Sequence, residues 1–203
     1  MIALLDNGQD LEQCAAEIGG PVGQLLTPLT RYHLRNADLP WAIDNGRFSD
    51  QDTAGLISLL KREDHRKEKC LWVATPDVVG SARRTAEVFH IWKHRPELKG
   101  WKLAFVCQDG QEDLPMPWDD IAAIFIGGST KWKCSEHVVH LISAAKALGK
   151  DVHAGRVNDP ARWQHFEELD VDTCDGTGLA RYTHMRHAIA NRHNQGDLLN
   201  AVA

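Results

Sequence analysis

"IALLDNG", residues 2–8, is the stretch on which the fold turns. Four apolar residues run without a break into Asp6, Asn7 and Gly8, a turn signal that would end a strand and leave its tip polar. Seven further runs share this form: "GQLLTP" (23–28), "WAIDNG" (41–46), "CLWVATPD" (70–77), "LAFVCQDG" (103–110), "AAIFIGGS" (122–129), "DVHAGR" (151–156) and "VDTCDGTG" (171–178). Runs that are apolar at nearly every position suit parallel strands covered by helices, because a strand with one wet face would alternate.

Helix-like segments separate the runs: 9–18, a short one at 30–37, then 50–67, 81–95, 135–148, 159–168 and a terminal one around 181–193. Ser49-Asp50 and Asp159-Pro160 have the form of helix starts, with a polar cap and, in the second, a proline that the first turn tolerates. Gly149 has the form of a helix stop. The segment 109–119, "DGQEDLPMPWD", is too rich in proline for a regular helix and reads as a loop with one turn. Eight strand–helix units predict a compact (β/α)8 TIM barrel as a single domain over residues 1–203, near the lower size limit of that fold. An open doubly wound sheet is the alternative. The first run favours closure, since without it the count falls to seven.

The bulk properties narrow the function. With 43% hydrophobic and 25% charged residues the chain has the composition of an ordinary soluble globular protein. No apolar run approaches the roughly 18 residues that would span a bilayer, so no membrane partner is expected. The first residues lack the basic and apolar stretches of a signal peptide. Five scattered cysteines (Cys14, Cys70, Cys107, Cys134 and Cys174) form no CxxC pair, which speaks against a disulfide framework and for a cytoplasmic location. A net charge of −5 offers nucleic acid no global attraction, so such a partner would need a local basic surface.

In a (β/α)8 barrel the chemistry gathers at the C-terminal ends of the strands. Here those ends carry Asp6-Asn7, Thr27, Asp44-Asn45, Asp77, Gln108-Asp109, Gly127-Gly128-Ser129, Arg156 and Asp175. A single Asp-Gly is an ordinary turn. Repetition at the same end of successive strands is harder to ascribe to turns alone. Two converging carboxylates suit a glycosidic bond, one attacking the anomeric carbon and the other managing protons. Gly127 and Gly128 would let a flat ligand approach the backbone, although a bend at the strand end explains them equally well.

In this order the motifs resemble the tRNA-guanine transglycosylase superfamily, and within it the small DNA-modifying 7-deazaguanine transglycosylases. "AIDNGRFS" (42–49) looks like the family's Asp-Ser-Gly-Gly-Phe-Gln strand end, "FVCQDG" (105–110) like its Val-Gln-Gly-Gly segment, and "IFIGGS" (124–129) like its Gly-Gly-Leu segment. "HAGRVNDPARW" (153–163) and "VDTCDGTGLAR" (171–181) are similar to its later strand ends. The resemblance spans about residues 23 to 182 and implies roles. Asp175 would be the catalytic nucleophile at C1′ and Asp44 the general acid/base. Asp77, Gln108, Gly127 and Gly128 would bind the guanine-like base. Three departures stand out. Asp109 and Arg47 replace family glycines, Gly-Leu replaces Pro-Thr after the nucleophile, and no cysteine follows Cys174 to supply the zinc module of the tRNA enzymes.

Basic residues near the rim are candidates for DNA contact. Lys131, Trp132 and Lys133 in "GSTKWK" could stack on a nucleotide and meet phosphates, or simply cover the rim. Arg181 and Arg186 in "LARYTHMRHAIANRHNQ" (179–195) could grip the backbone beside Arg156, or belong to a solvated helix. The eleven histidines show no ligand spacing, His90 and His94 included, so neither metal nor cofactor is expected. The expected activity is a DNA-guanine transglycosylase that exchanges guanine for a 7-deazaguanine on a single-stranded or flipped nucleotide, with a homodimer or a helper subunit left open by the small size of the chain. A DNA glycosylase, a nucleoside hydrolase and a non-catalytic nucleotide-binding barrel remain open alternatives.

Overall fold

The computed structural model describes residues 1–6, 10–30, 36, 38–46 and 53–191. The first run is a strand, β1 (Ile2–Leu5). After α1 (Leu11–Ile18) come β2 (Val22–Leu26), β3 (Trp41–Ile43), α2 (Thr53–Glu63), β4 (Cys70–Ala74), α3 (Ala82–Trp92), β5 (Leu103–Cys107) and β6 (Ala123–Ile126). Then follow α4 (Thr130–Lys133), α5 (Glu136–Ala147), β7 (Asp151–Ala154), α6 (Pro160–Glu168), β8 (Thr173–Asp175), α7 (Thr177–Arg181) and α8 (Thr183–Ala190). Every strand pairs in parallel with its sequence neighbour. β1 also pairs with β8, setting Ala3 against Cys174 and Leu4 against Asp175. That pairing closes the barrel and excludes the open sheet.

Closure makes two separate cores. Leu4, Leu25, Ala42, Trp72, Ala74, Ala104, Val106, Ala123 and Phe125 point inward and fill the barrel. Their neighbours, such as Leu5, Ile43, Phe105, Ile124 and Val152, point outward and pack beneath the helices. The period of two runs along the strands, broken in β4 where the register against β3 shifts, but both faces are dry, so hydropathy does not display it. Inside, one large ring is accommodated by four alanines: Trp72 is wholly buried. Gly155 of the β7 end makes room for a second ring, because a Cβ there would sit 2.5 Å from the Phe125 ring.

The helices follow local signals where those exist. Asp10 caps α1 by accepting from the Glu12 and Gln13 N–H groups, and Gly19, at φ +69°, ends it. Leu11, Cys14 and Ile18 form its buried stripe. Ser81 caps α3, and Asp159 with Pro160 opens α6 as the sequence predicts. Within the proline-rich 109–119 segment lies one 3-10 turn (Gln111–Asp113), and a second (Trp118–Asp120) begins at its end. Two expectations need correction. The segment read as one helix over 50–67 is α2 followed by a 3-10 stretch, Asp64–Lys69. The terminal helix does not begin at 181. It is two helices, the first starting two residues after Asp175, with an extended Tyr182 between them. The Ser49-Asp50 helix start, Asn7, Arg47, most of 30–37 and residues 192–193 lie outside the described residues. Among the described residues no helix is long and apolar enough to cross a membrane.

Candidate active site

A cavity of about 340 Å³ opens where the strands end. That size is within the range of small-molecule sites. Inward-facing Leu4, Leu25, Val106 and Phe125 give it apolar lining, and Asp6, Thr27, Asp44, Asn45, Asp77, Gln108, Arg156 and Asp175 give it polar walls. Leu29 and Val79, both well exposed, also border it.

Asp175 ends β8 and both its oxygens are engaged. Oδ1 accepts the Arg156 backbone N–H at 2.9 Å, and Oδ2 lies 2.9 Å from His153 Nε2. Arg156 adopts φ +58°, a left-handed conformation that costs a non-glycine residue energy. The bend brings the chain over the β8 tip, where Val157 N–H also bonds the Asp175 carbonyl at 2.7 Å. Burial would raise the proton affinity of Asp175. The His153 hydrogen bond, the Arg156 N–H and the Lys133 charge outweigh it, holding the carboxyl below its usual value. His153 is pushed the other way by its own burial, which outweighs the carboxylate beside it and keeps the imidazole neutral.

Asp44, two residues beyond Ala42 in the inward series, faces the same cavity. Burial first, then the charges of Asp175 and Asp77, raise its pKa to about 7 against the pull of the Gly46 and Asn45 N–H groups. Asp44 therefore stands ready to give up a proton near neutrality. Beside it runs a fixed polar chain. Asn45 Nδ2 donates to the Thr75 carbonyl (2.8 Å) and to Asp77 Oδ1 (3.0 Å). Gln108 Nε2 donates to Asp77 Oδ2 at 2.7 Å. Gln108 Oε1 accepts the N–H groups of Gly80 (3.0 Å) and Gly128 (3.1 Å), which fixes the orientation of its amide. Gly127 lines the cavity with these groups, and a Cβ on it would press within 2.8 Å of Gln108 Nε2. Gly128, at φ +63°, turns the chain into α4, and a Cβ there would meet the Trp132 ring at 2.6 Å.

The structure thus brings Asp175, Asp44, Asp77, Gln108, Gly127 and Arg156 together, with Gly128 directly behind. The expected DNA contacts divide. Lys131 and Arg181 are exposed. Trp132 is buried with its indole N–H on Glu112 at 2.8 Å, so it does not present a face for stacking. Lys133 is buried, its ammonium on the Gly155 carbonyl and its pKa lowered to about 8, chiefly by that burial. Arg186 is also buried, paired with Glu17 at 2.6 Å and donating to the Leu179 carbonyl at 2.7 Å, which ties α8 to α1. Those three side chains serve the fold rather than a phosphate surface. The Arg156 guanidinium bonds the Gly128 carbonyl while bordering the cavity. Asp109, in place of a family glycine, accepts the Ser129 N–H (2.7 Å) and hydroxyl (2.6 Å), anchoring the start of α4.

Sequence reasoning passed over His153, Thr173 and Asn158. The first two were legible by counting in twos. Thr173 stands two residues before Asp175 on β8, and the β7 register sets His153 against it. Asn158 Oδ1 accepts the Gly178 N–H at 2.9 Å, a contact from the loop after β7 to the first turn of α7 that no local pattern announces. Among the described residues no group of three or more His, Cys, Asp or Glu is arranged to hold a metal ion.

The class defined by this fold and rim is the (β/α)8 barrel with a polar cavity at the C-terminal strand ends. No family model matches the chain, and no curated protein does. Solved structures match in fold. A BexX/CysO complex from Amycolatopsis orientalis superposes with a TM-score of 0.54 at 14% identity, over 100% of this chain and 91% of the other. A flavocytochrome b2 mutant gives 0.53 at 12% identity, over 96% of this chain and 61% of the other. At such identities the likeness is one of architecture alone.

Proposed function

We propose that this protein is a base-exchange enzyme acting at a guanine position of DNA, a transglycosylase that works through a covalent glycosyl intermediate on Asp175. The observation that carries the reading is the pairing, in one cavity, of an ionised Asp175 with an Asp44 that holds its proton to about pH 7. Pairs of carboxylates driven apart in this way divide into nucleophile and acid. Asp175 attacks C1′ of the nucleotide, the C1′–N bond breaks, and Asp44 gives its proton to the departing base. A 7-deazaguanine then enters, yields a proton to the Asp44 carboxylate and attacks C1′, releasing Asp175 unchanged. Each step balances, and the strand stays joined throughout.

Base selection falls to Asp77 and Gln108. Asp77 is held by two amide donors and borders the cavity, where a carboxylate suits the adjacent N–H groups of a guanine edge. Arg156, Lys131 and Arg181 supply the local positive charge for phosphates. The buried, unbridged thiols fit a reducing, cytoplasmic setting. The test is incubation with guanine-containing oligonucleotides and a labelled 7-deazaguanine. Incorporation of label supports exchange. Alkali-labile abasic sites without incorporation indicate a glycosylase instead, and no reaction on any nucleic acid sinks both readings.

A further inference from the structure

The barrel interior holds one polar side-chain chain that the mechanism above leaves unused. Thr173 Oγ1 lies 2.8 Å from His153 Nδ1, and His153 Nε2 lies 2.9 Å from Asp175 Oδ2. The imidazole is wholly buried, with Trp72 on one side (centroids 4.6 Å apart) and Phe125 on the other (4.4 Å). It does not border the cavity, whereas Asp175 does. In a Ser-His-carboxylate triad the imidazole reaches the reacting atoms and the carboxylate lies behind it. Here the order is inverted.

Resting on Asp175 as the nucleophile, we propose that His153 is a positioning residue, a neutral imidazole whose Nε2–H tautomer is set by the Asp175 carboxylate and matched at Nδ1 by the Thr173 hydroxyl. It fixes the direction of the Asp175 carboxylate. The donor pattern follows from elimination. An ionised carboxylate only accepts, so Nε2 must carry the hydrogen. A neutral ring then has only a lone pair at Nδ1, and the Thr173 hydroxyl is the donor to it. Because Oδ1 takes the Arg156 N–H, the carboxylate is clamped at both oxygens and cannot rotate. The same clamp acts twice, holding the carboxylate as it attacks C1′ and stabilising it again as it leaves.

The charged groups around this clamp are few. Lys133 from α4 acts on both His153 and Asp175, while Asp44 at the end of β3, with Asp77 beside it, faces Asp175 across the cavity. Ring ¹⁵N and aspartate carboxyl ¹³C NMR on the whole protein, without substrate, test the proposal. His153 is expected to show a protonated Nε2 and a bare Nδ1 at neutral pH. His153→Leu is expected to raise the Asp175 titration midpoint by about one unit or more, since burial then acts with one donor fewer. His153→Gln, which keeps an N–H at similar reach, should restore most of the shift. Thr173→Val, which removes the donor to Nδ1 but not the Asp175 acceptor, should keep the Nε2–H tautomer. An Nδ1–H or cationic His153, or a folded His153→Leu protein with an unmoved Asp175, overturns the proposal. If His153→Leu does not fold, loss of the Nε2–H tautomer in Thr173→Val overturns it instead. A wild-type protein with the expected ring signals but no base exchange would remove the proposed function and leave the clamp standing.

Discussion

Asp175 and Asp44 share one cavity and similar removal from water, yet their proton affinities are driven in opposite directions. Burial works in the same direction on both. The difference lies in what else each carboxyl meets. The β7–β8 side offers Asp175 an imidazole N–H, a backbone N–H and a nearby ammonium. The end of β3 sets Asp44 against two other carboxylates, Asp175 across the cavity and Asp77 beside it, with only backbone N–H groups in its favour. Burial alone therefore does not choose which acid ionises. Neighbouring donors and like charges do, and a barrel rim can place one carboxyl among donors and another among anions.

The largest test of that division is Asp175→Asn. Exchange is expected to fall on the order of 10⁴-fold, with loss of any covalent protein–DNA adduct on a denaturing gel. A surviving adduct would assign the nucleophile elsewhere. Asp44→Asn comes next, with a loss on the order of 10²- to 10⁴-fold in single-turnover adduct formation. In the wild type that rate should decline as pH rises through about 7, where Asp44 gives up its proton.

The same group has a signature in stability. Its folded pKa lies above its unfolded one, so the folded state holds the extra proton between about pH 4 and 7, and stability falls as pH rises across that window. Asp44→Asn removes this penalty. Its gain in melting temperature should be greater at pH 8 than at pH 5, and an equal gain at both would contradict the raised pKa.

Gln108→Leu probes the wall behind Asp44. It strips Asp77 of a donor and leaves the buried Gly128 N–H without its acceptor, at a cost of about 2 kcal/mol in thermal unfolding. With Asp77 less firmly held, the Asp44 midpoint should also drift down. The smallest effect belongs to Arg181→Ala, on the exposed end of α7. DNA affinity should weaken a few-fold and the salt dependence lose about one unit of slope, with both carboxylates titrating as before. A change in either titration would show that the two sides of the rim are coupled to the outer surface.

Much of this was legible along the chain. Asp6, Asp44, Asp77, Gln108 and Asp175 could be placed at strand ends because each apolar run stops at a polar residue, and parallel strands all stop on the same side. His153 was hidden in plain view. Between Val152 and Ala154 it reads as a polar interruption, and only pairing with β8 sets it against Thr173 and one layer below Asp175. The expected DNA contacts misled for the opposite reason. Trp132, Lys133 and Arg186 sit in polar stretches, but short helices at the barrel ends turn inward, and there a lysine finds a carbonyl and an arginine a glutamate. Charge along a sequence does not say which face of a four- or eight-residue helix will be covered.

By itself, the sequence determined the eight-stranded parallel design, down to the importance of residues 2–8, because apolar runs with polar tips can satisfy their backbones only by pairing beneath helices. It also determined which carboxylates reach the rim. The tertiary structure alone decided their protonation and orientation. Those depend on distances of a few ångströms between residues far apart in the chain, such as Asp77 to Gln108 and His153 to Asp175, and on how much water the closed barrel leaves around each.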